Sequence, residues 1–342
     1  MEQPTPAPAP GLDRRNALKL SALGIAAGLL GVPSCASSSR AGASSASARR
    51  VARIAHFSDT HIQPELDAAR GVAAALRHAQ SLRDPPSLIL TGGDLVMDAY
   101  EQPAERTNAV FSLLKDVLRQ ECSIPVHHTL GNHDIWGWKR SKSGLTGNEP
   151  MYGSAYAVDR LGLPGPYFSF DIGAGPGSWR VIVLDSVRPS RQPGSEGYEA
   201  FLDEPQFDWL QRTLRDTPSD RWVLVCSHIP IISVSSLFDN DTKIQLRVQS
   251  NVMHDDARQL HTLFKSHPNV RVALSGHIHQ VDRCDYAGLT YICGGAVSGA
   301  WWKGEHNGCR EGYGVVDLFS DGTFGYSYQT YGWQAARRSE GA

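Results

Sequence analysis

Residues 124–136 read IPVHHTLGNHDIW: an apolar run that looks like the end of a buried strand at Val126–Leu130, then a glycine, then Asn132, His133 and Asp134. Polar side chains are costly to bury, so three of them at the mouth of a strand need a reason. A polar turn supplies one, because Asn and Asp favour turns through their own hydrogen bonds, and Gly131 permits a sharp exit. GNHD alone does not choose between a turn and a site. Its surroundings do, because the same pattern recurs along the chain.

Five short apolar runs end in polar residues: RIAHFSDTH at Asp59 and His61, SLILTGGD at Asp94, the GNHD run, WVLVCSH at His228, and VRVALSGHIH at His277 and His279. Helical periodicity separates them over 66–82, 108–118, 206–214 and 254–264. Alternation of strands and helices, with strands apolar almost throughout, predicts an α/β domain. FSFDIG and WRVIVLDS read as adjacent strands. Beyond residue 280 the segments LTYICGG, EGYGVVDLF and TFGYSYQTYGW read as strands without helices, a second and more antiparallel sheet.

In α/β sheets functional groups collect outside the carboxyl ends of strands, and all five polar clusters fall there. They can therefore meet. Asp59, His61, Asp94, Asn132, His133, His228, His277 and His279 packed together without a counter-charge would suffer desolvation and repulsion. Divalent ions remove that cost, and a His/Asp/Asn set suits Fe, Mn, Zn or Co better than calcium. No thiolate belongs to the set, which argues against a structural cysteine-type zinc site. Eight such groups are too many for one tetrahedral ion and suit two, the arrangement that clamps an in-line phosphoryl displacement. Taken singly the pieces are weak: GD is a common turn signal, and His228 alone could be a hydrogen-bonded core histidine.

The series SDTH, GGD, GNHD, CSH and GHIH, in that order, resembles the motif series of calcineurin-like metallophosphoesterases over about residues 51–280, with the tail to Trp333 similar to the closing strands of bacterial members. The resemblance implies a four-layer αββα sandwich of two mixed β-sheets. It also implies a dinuclear metal centre, with a bridging hydroxide attacking phosphorus. By position, Asp59, His61 and His279 would bind the first ion, Asn132, His228 and His277 the second, and Asp94 would bridge them. His133 would contact substrate and assist the departing oxygen, with Asp134 orienting it. Purple acid phosphatases carry Tyr three residues after the GD aspartate, where this chain has Met97. SDTHIQP, GGDLVMD and SGHIHQ look closer to bacterial cyclic-nucleotide and glycerophosphodiester phosphodiesterases. Trp136 and Trp138 could wall the pocket. Trp301, Trp302 and Lys303 could supply a stacking surface and a phosphate-binding cation, or the aromatics could merely seal a loop. Arg188 and Arg191 read as solvated loop charges. An alternative is a catalytically idle metal- or partner-binding domain at the cell surface.

The first 50 residues hold six of the 33 Lys/Arg and two of the 35 Asp/Glu, which leaves the remainder with 27 basic against 33 acidic residues, a net charge of −6. No basic field tracks a nucleic-acid backbone, so the expected substrate is a small-molecule or lipid-derived phosphoester. Arg14 and Arg15 precede a 13-residue uncharged run, Leu20 to Val32, the length of a signal-peptide core and short of a membrane span. The pair resembles a twin-arginine export signal, and Val32-Pro33-Ser34-Cys35 a bacterial lipobox. The Ser/Ala-rich tract that follows has too little apolar surface to fold. Residues 1–50 thus read as export signal and linker, 51–335 as the phosphoesterase domain and 336–342 as a tail, with a periplasmic or cell-envelope location. Membrane contact is expected only through export or a lipid on Cys35. Of the other five cysteines, Cys226 reads as a buried hydrophobe, and Cys284 and Cys293 could face each other across a hairpin.

Overall fold

The computed structural model describes residues 48–237 and 248–335. The expected export segment with Arg14, Arg15 and Cys35, and the expected tail from residue 336, lie outside the described residues. The described residues belong to one compact unit, and its first strand starts at Arg50.

Along the chain come β1 (Arg50–Phe57), α1 (Ala68–Gln80), β2 (Leu88–Thr91), α2 (Ala104–Glu121), β3 (Val126–His127), α3 (Arg140–Ser143), α4 (Ser154–Leu161), β4 (Phe168–Ile172), β5 (Trp179–Leu184), β6 (Val187–Pro189), β7 (Tyr198–Ala200), α5 (Glu204–Arg215), β8 (Trp222–Ser227), α6 (Ala257–Lys265), β9 (Val270–Ser275), β10 (Val281–Tyr286), β11 (Leu289–Gly294), β12 (Gly312–Phe319) and β13 (Phe324–Thr330). One sheet runs β13-β12-β1-β2-β3 and the other β10-β11-β9-β8-β5-β4, with β6-β7 as a separate ribbon. Both large sheets are mixed: β1, β2 and β3 are parallel with β12 and β13 antiparallel on one side, and β11, β9, β8 and β5 are parallel with β10 and β4 antiparallel at the two edges.

Side-chain alternation along each strand sorts the core into layers. Ile54, Leu88, Leu90, Val316 and Leu318 of the first sheet face Val181, Val183, Leu224, Cys226, Val272 and Leu274 of the second. The opposite faces meet helices: Ala55, Phe57 and Ile89 pack on Val72, Leu76, Val110 and Phe111 of α1 and α2, while Ile182, Val223 and Val225 pack on Leu210, Leu214, Leu260 and Phe264 of α5 and α6. This is the αββα sandwich. α5 starts where the Asp203 side chain accepts the Gln206 N–H and proline occupies the first turn, a fitted N-terminus.

Two expectations need correction. The closing strands do not form a sheet of their own. β10 and β11 extend β9's sheet, whereas β12 pairs antiparallel with β1 and brings β13 to the first sheet's edge. In the β10–β11 hairpin, Cys284 stands opposite Tyr291 and Cys293 opposite Asp282, so the two cysteines are not partners; all five described cysteines are free thiols.

Candidate metal centre

Every predicted ligand follows a strand's carboxyl end. The first sheet brings Asp59 and His61 (after β1), Asp94 (after β2), and Asn132 and His133 (after β3). The second brings His228 (after β8) and His277 and His279 (after β9). The loops brace one another: Asp59 N donates to Gly93 O at 3.0 Å and His61 N to Asp94 O at 3.0 Å. Asp59, His61, Asp94, His277 and His279 all have left-handed φ between 41° and 71°. Non-glycine residues hold that conformation at a cost, and such strain gathers at functional sites.

Gly131 does not act as a hinge, since its φ of −111° is open to any residue. It is required by space, because a Cβ there would lie 2.2 Å from Asp94 Oδ1. Gly276 is alike: a Cβ would meet Ser58 Oγ at 1.7 Å and Asp59 Oδ2 at 2.4 Å. The motif glycines let the ligand-bearing loops interlock.

Three overlapping groups of possible ligands result, Asp59 with His61 and His279, Asp94 with His228 and His277, and between them His61 with Asp94 and His133; the first two are the predicted groups. In the first, His61 Nε2 is 3.1 Å from His279 Nε2, and Asp59 Oδ1 is 3.3 Å from His279 and 3.9 Å from His61. In the second, His228 Nε2 is 3.1 Å from Asn132 Oδ1 and 3.2 Å from His277 Nδ1. Asp94 Oδ2 joins them, 3.7 Å from His61 Nε2 and 3.3 Å from His228 Nε2. Its other oxygen accepts the His133 N–H at 2.8 Å.

Outer hydrogen bonds fix the imidazole tautomers. Nδ1 of His228 donates to Gly92 O (2.7 Å), Nδ1 of His279 to Gly299 O (2.5 Å), and Nε2 of His277 to Asn251 O (2.8 Å). In the neutral ring the inward nitrogen then carries a lone pair. Lone pairs and carboxylate and amide oxygens therefore converge, and among the described residues neither Asp59 nor Asp94 is ion-paired with Lys or Arg. Such an acceptor-rich centre calls for cations, and the donor chemistry fits divalent metal. The local electrostatics say the same. Burial opposes charge on His228, yet Asp94 and then Asp59 push its pKa up to about 9. Burial, reinforced by His228, pulls His277 down to about 4. Burial opposes ionisation of Asp94, but His228 and His133 hold it well below the usual carboxylate range.

His133 stands beside the ligands, its ring 4.8 Å from that of His61. Asp134 does not orient it. The Asp134 carboxylate accepts the N–H groups of Leu95 (2.9 Å), Val96 (3.2 Å) and Gly131 (2.8 Å), which ties the GNHD turn to the loop after β2. Burial and Asp94 push its carboxyl up to about 7 against those donors. The carboxylate near His133 is Asp98, 3.8 Å from Nδ1. Burial opposes charge on His133, and Asp94 and Asp98 outweigh it and raise the pKa. Asp98 sits in the quoted GGDLVMD, but its spacing from Asp94 carries no periodic signal. A cleft of about 340 Å³ opens here, lined by Asp98, Tyr100, Asn132, His133, Lys139 and Tyr198, and its Lys139 is paired with Glu101 at 2.8 Å.

The aromatic expectations divide. Trp301 is half-buried over the first group, its ring 4.5 Å from His279. Trp302 is 2% exposed and supports the site from beneath: its Nε1 donates to Thr60 O and His61 O at 3.1 and 3.0 Å, and its ring fills space where a Gly71 Cβ would come within 2.0 Å. Trp136 is also buried, against Tyr156, with ring centroids 5.0 Å apart. Neither presents a face to a ligand. Lys303 is exposed on the Trp301 loop. Arg188 is no solvated charge: its side chain is 11% exposed and pairs with Asp185 at 2.7 Å and Asp203 at 3.1 Å. Arg191 pairs with Glu199 at 2.6 Å.

The chain is similar to known proteins. The family model described as calcineurin-like phosphoesterase matches residues 52–281. The 3′,5′-cyclic adenosine monophosphate phosphodiesterase CpdA of Pseudomonas aeruginosa is 27% identical over 66% of this chain and 69% of its own. A 3′,5′-cyclic-nucleotide phosphodiesterase of a Nostoc strain is 23% identical over 79% of this chain and 89% of its own. Among solved structures, a dimetal phosphatase from Danio rerio shares the fold at 16% identity and a TM-score of 0.52, covering 79% of this chain and 94% of that one.

Proposed function

This chain belongs to the calcineurin-like phosphoesterase family, a phosphoric ester hydrolase, and we propose that it cleaves phosphodiesters at a centre of two metal ions. The carrying observation is Asp94 Oδ2 standing between the two groups, 3.7 Å from His61 and 3.3 Å from His228. Asp59, His61 and His279 would hold one ion, Asn132, His228 and His277 the other, and Asp94 both. Fe, Mn, Zn or Co suits these donors. When bound, such a pair activates water and offsets charge on the phosphoryl oxygens. His133 would meet the leaving oxygen in the adjoining cleft, with Asp98 favouring its protonated form, and Asp134 would hold the turn that carries it.

Charge favours diesters. A monoester dianion usually needs side-chain cations, and the lysine lining the cleft is already bound to Glu101. A diester monoanion needs less. Relatives named as cyclic-nucleotide phosphodiesterases support this class, and the proposed substrate is a small or lipid-derived phosphodiester. With added Mn or Zn, bis-nitrophenyl phosphate should turn over faster than nitrophenyl phosphate. Faster monoester cleavage refutes the diester assignment, and no turnover of either after metal loading revives the idle-domain alternative. From residues 14–35 alone we also propose work outside the cytoplasm; exchange of Arg14 and Arg15 for Lys should then retain the protein inside, and unimpaired export would oppose it.

A further inference from the structure

Behind the second ligand group lies a chain of polar side chains that the proposed chemistry does not use. His254 is 2% exposed. Its Nδ1 donates to Asp256 Oδ1 at 2.8 Å, and its Nε2 is hydrogen-bonded to Ser227 Oγ at 3.1 Å. Ser227 immediately precedes His228. Asp256 Oδ2 accepts the Leu202 N–H at 2.9 Å, and His254 N donates to Pro230 O at 2.9 Å. One imidazole thus fastens the exit of β8 to residues 249–256, which are neither helix nor strand. That segment supplies Asn251 O, the acceptor for His277 Nε2. It also docks on β7, where Ala200 N donates to Ser250 O at 2.6 Å and Asp255 N to Ala200 O at 2.8 Å.

We infer that His254 is a positioning residue for the second metal ion: through Ser227 it steadies the stem of His228, and through its own segment it fixes the carbonyl that aims His277. A carbonyl on an irregular segment orients a ring only if the segment is held, and removing outer partners of metal-binding histidines typically costs about 10–100-fold in affinity. The first group has a different brace. His279 is aimed by Gly299 O and Trp302 reaches the main chain of His61, so a defect at His254 should fall on one ion and spare the other. The inference rests on the dinuclear reading.

The test is calorimetric titration of the metal-stripped full chain with Mn²⁺, with metal content measured in parallel. Loss of one isotherm in His277→Ala identifies the second site. In His254→Ala that site should weaken by about 10–100-fold with the first site unchanged, and the metal-free melting temperature should fall somewhat because Asp256 and Ser227 lose a buried partner, a loss that by itself would not single out one ion. His254→Gln, whose amide can still meet Ser227, should recover part of the loss, and Ser227→Ala should weaken the same site by less. Equal weakening of both sites, or an undiminished second site in all three variants, overturns the inference while leaving the dinuclear reading standing. A single ion in the unaltered chain brings down both.

Discussion

The two ligand groups are built differently although they share Asp94. The first is braced by packed structure: Asp59, His61 and His279 are almost wholly buried, Trp302 anchors the backbone beneath His61, and Trp301 covers His279. The second adjoins the cleft, with Asn132 on its wall, and two of its ligands depend on irregular segments, the GNHD turn and the Asn251 carbonyl. Rigid packing and hydrogen-bonded loops can both aim a ligand, but loops open at lower free energy. The first site should therefore be the more permanent and the second the more exchangeable and substrate-facing.

The largest effect should come from the residue the groups share. Asp94→Asn removes the one carboxylate that faces both sites, so metal content should fall at both, and kcat should drop by at least about 10³-fold, the scale of several kcal/mol of transition-state stabilisation. Loss of only one ion would mean that Asp94 serves a single group. Next comes His133→Ala. General-acid assistance is worth about 10²–10⁴ in rate and matters least for leaving groups that depart readily as anions. Activity should fall steeply on alkyl esters and much less on nitrophenyl esters, with both ions retained. Equal losses on both would place His133 on the non-bridging oxygens instead.

Trp302→Ala probes the brace under the first group. It should cost about 3–5 kcal/mol in urea unfolding, the usual range for emptying a buried tryptophan site, and should weaken the first ion more than the second. A smaller cost with unchanged metal binding would show that the brace is not what makes that site rigid. The mildest perturbation is partial chelation: one ion should leave before the other, and the chain so treated should bind Mn²⁺ in a Trp302→Ala-insensitive manner. Simultaneous loss would erase the contrast between the groups.

Much of this was legible in the sequence because its signals are local. Strand alternation, apolar helix faces and polar residues at strand ends place Asp59, His61, Asp94, Asn132, His228, His277 and His279 on one rim. What escaped is long-range or carried by main chain. Asn251 acts through a carbonyl, which any residue possesses. Which sheet β12 joins is a choice between distant edges, and the hairpin register that separates Cys284 from Cys293 depends on pairing rather than composition. The resemblance made Asp134 the partner of His133, yet its carboxylate turns to the N–H groups of Leu95, Val96 and Gly131, and the carboxylate near the His133 ring is Asp98, 3.8 Å away across the loop. For Trp302 the sequence left a stacking surface and a loop seal both open, because aromatics serve both cores and pockets, and only burial tells them apart.

The most direct test of the central claim is anomalous diffraction from crystals of the full chain grown with Mn²⁺. Two peaks about 3.5–4 Å apart, one among Asp59, His61 and His279, the other among Asn132, His228 and His277, with Asp94 between them, are the predicted result. A single peak, or two that do not share Asp94, would contradict it.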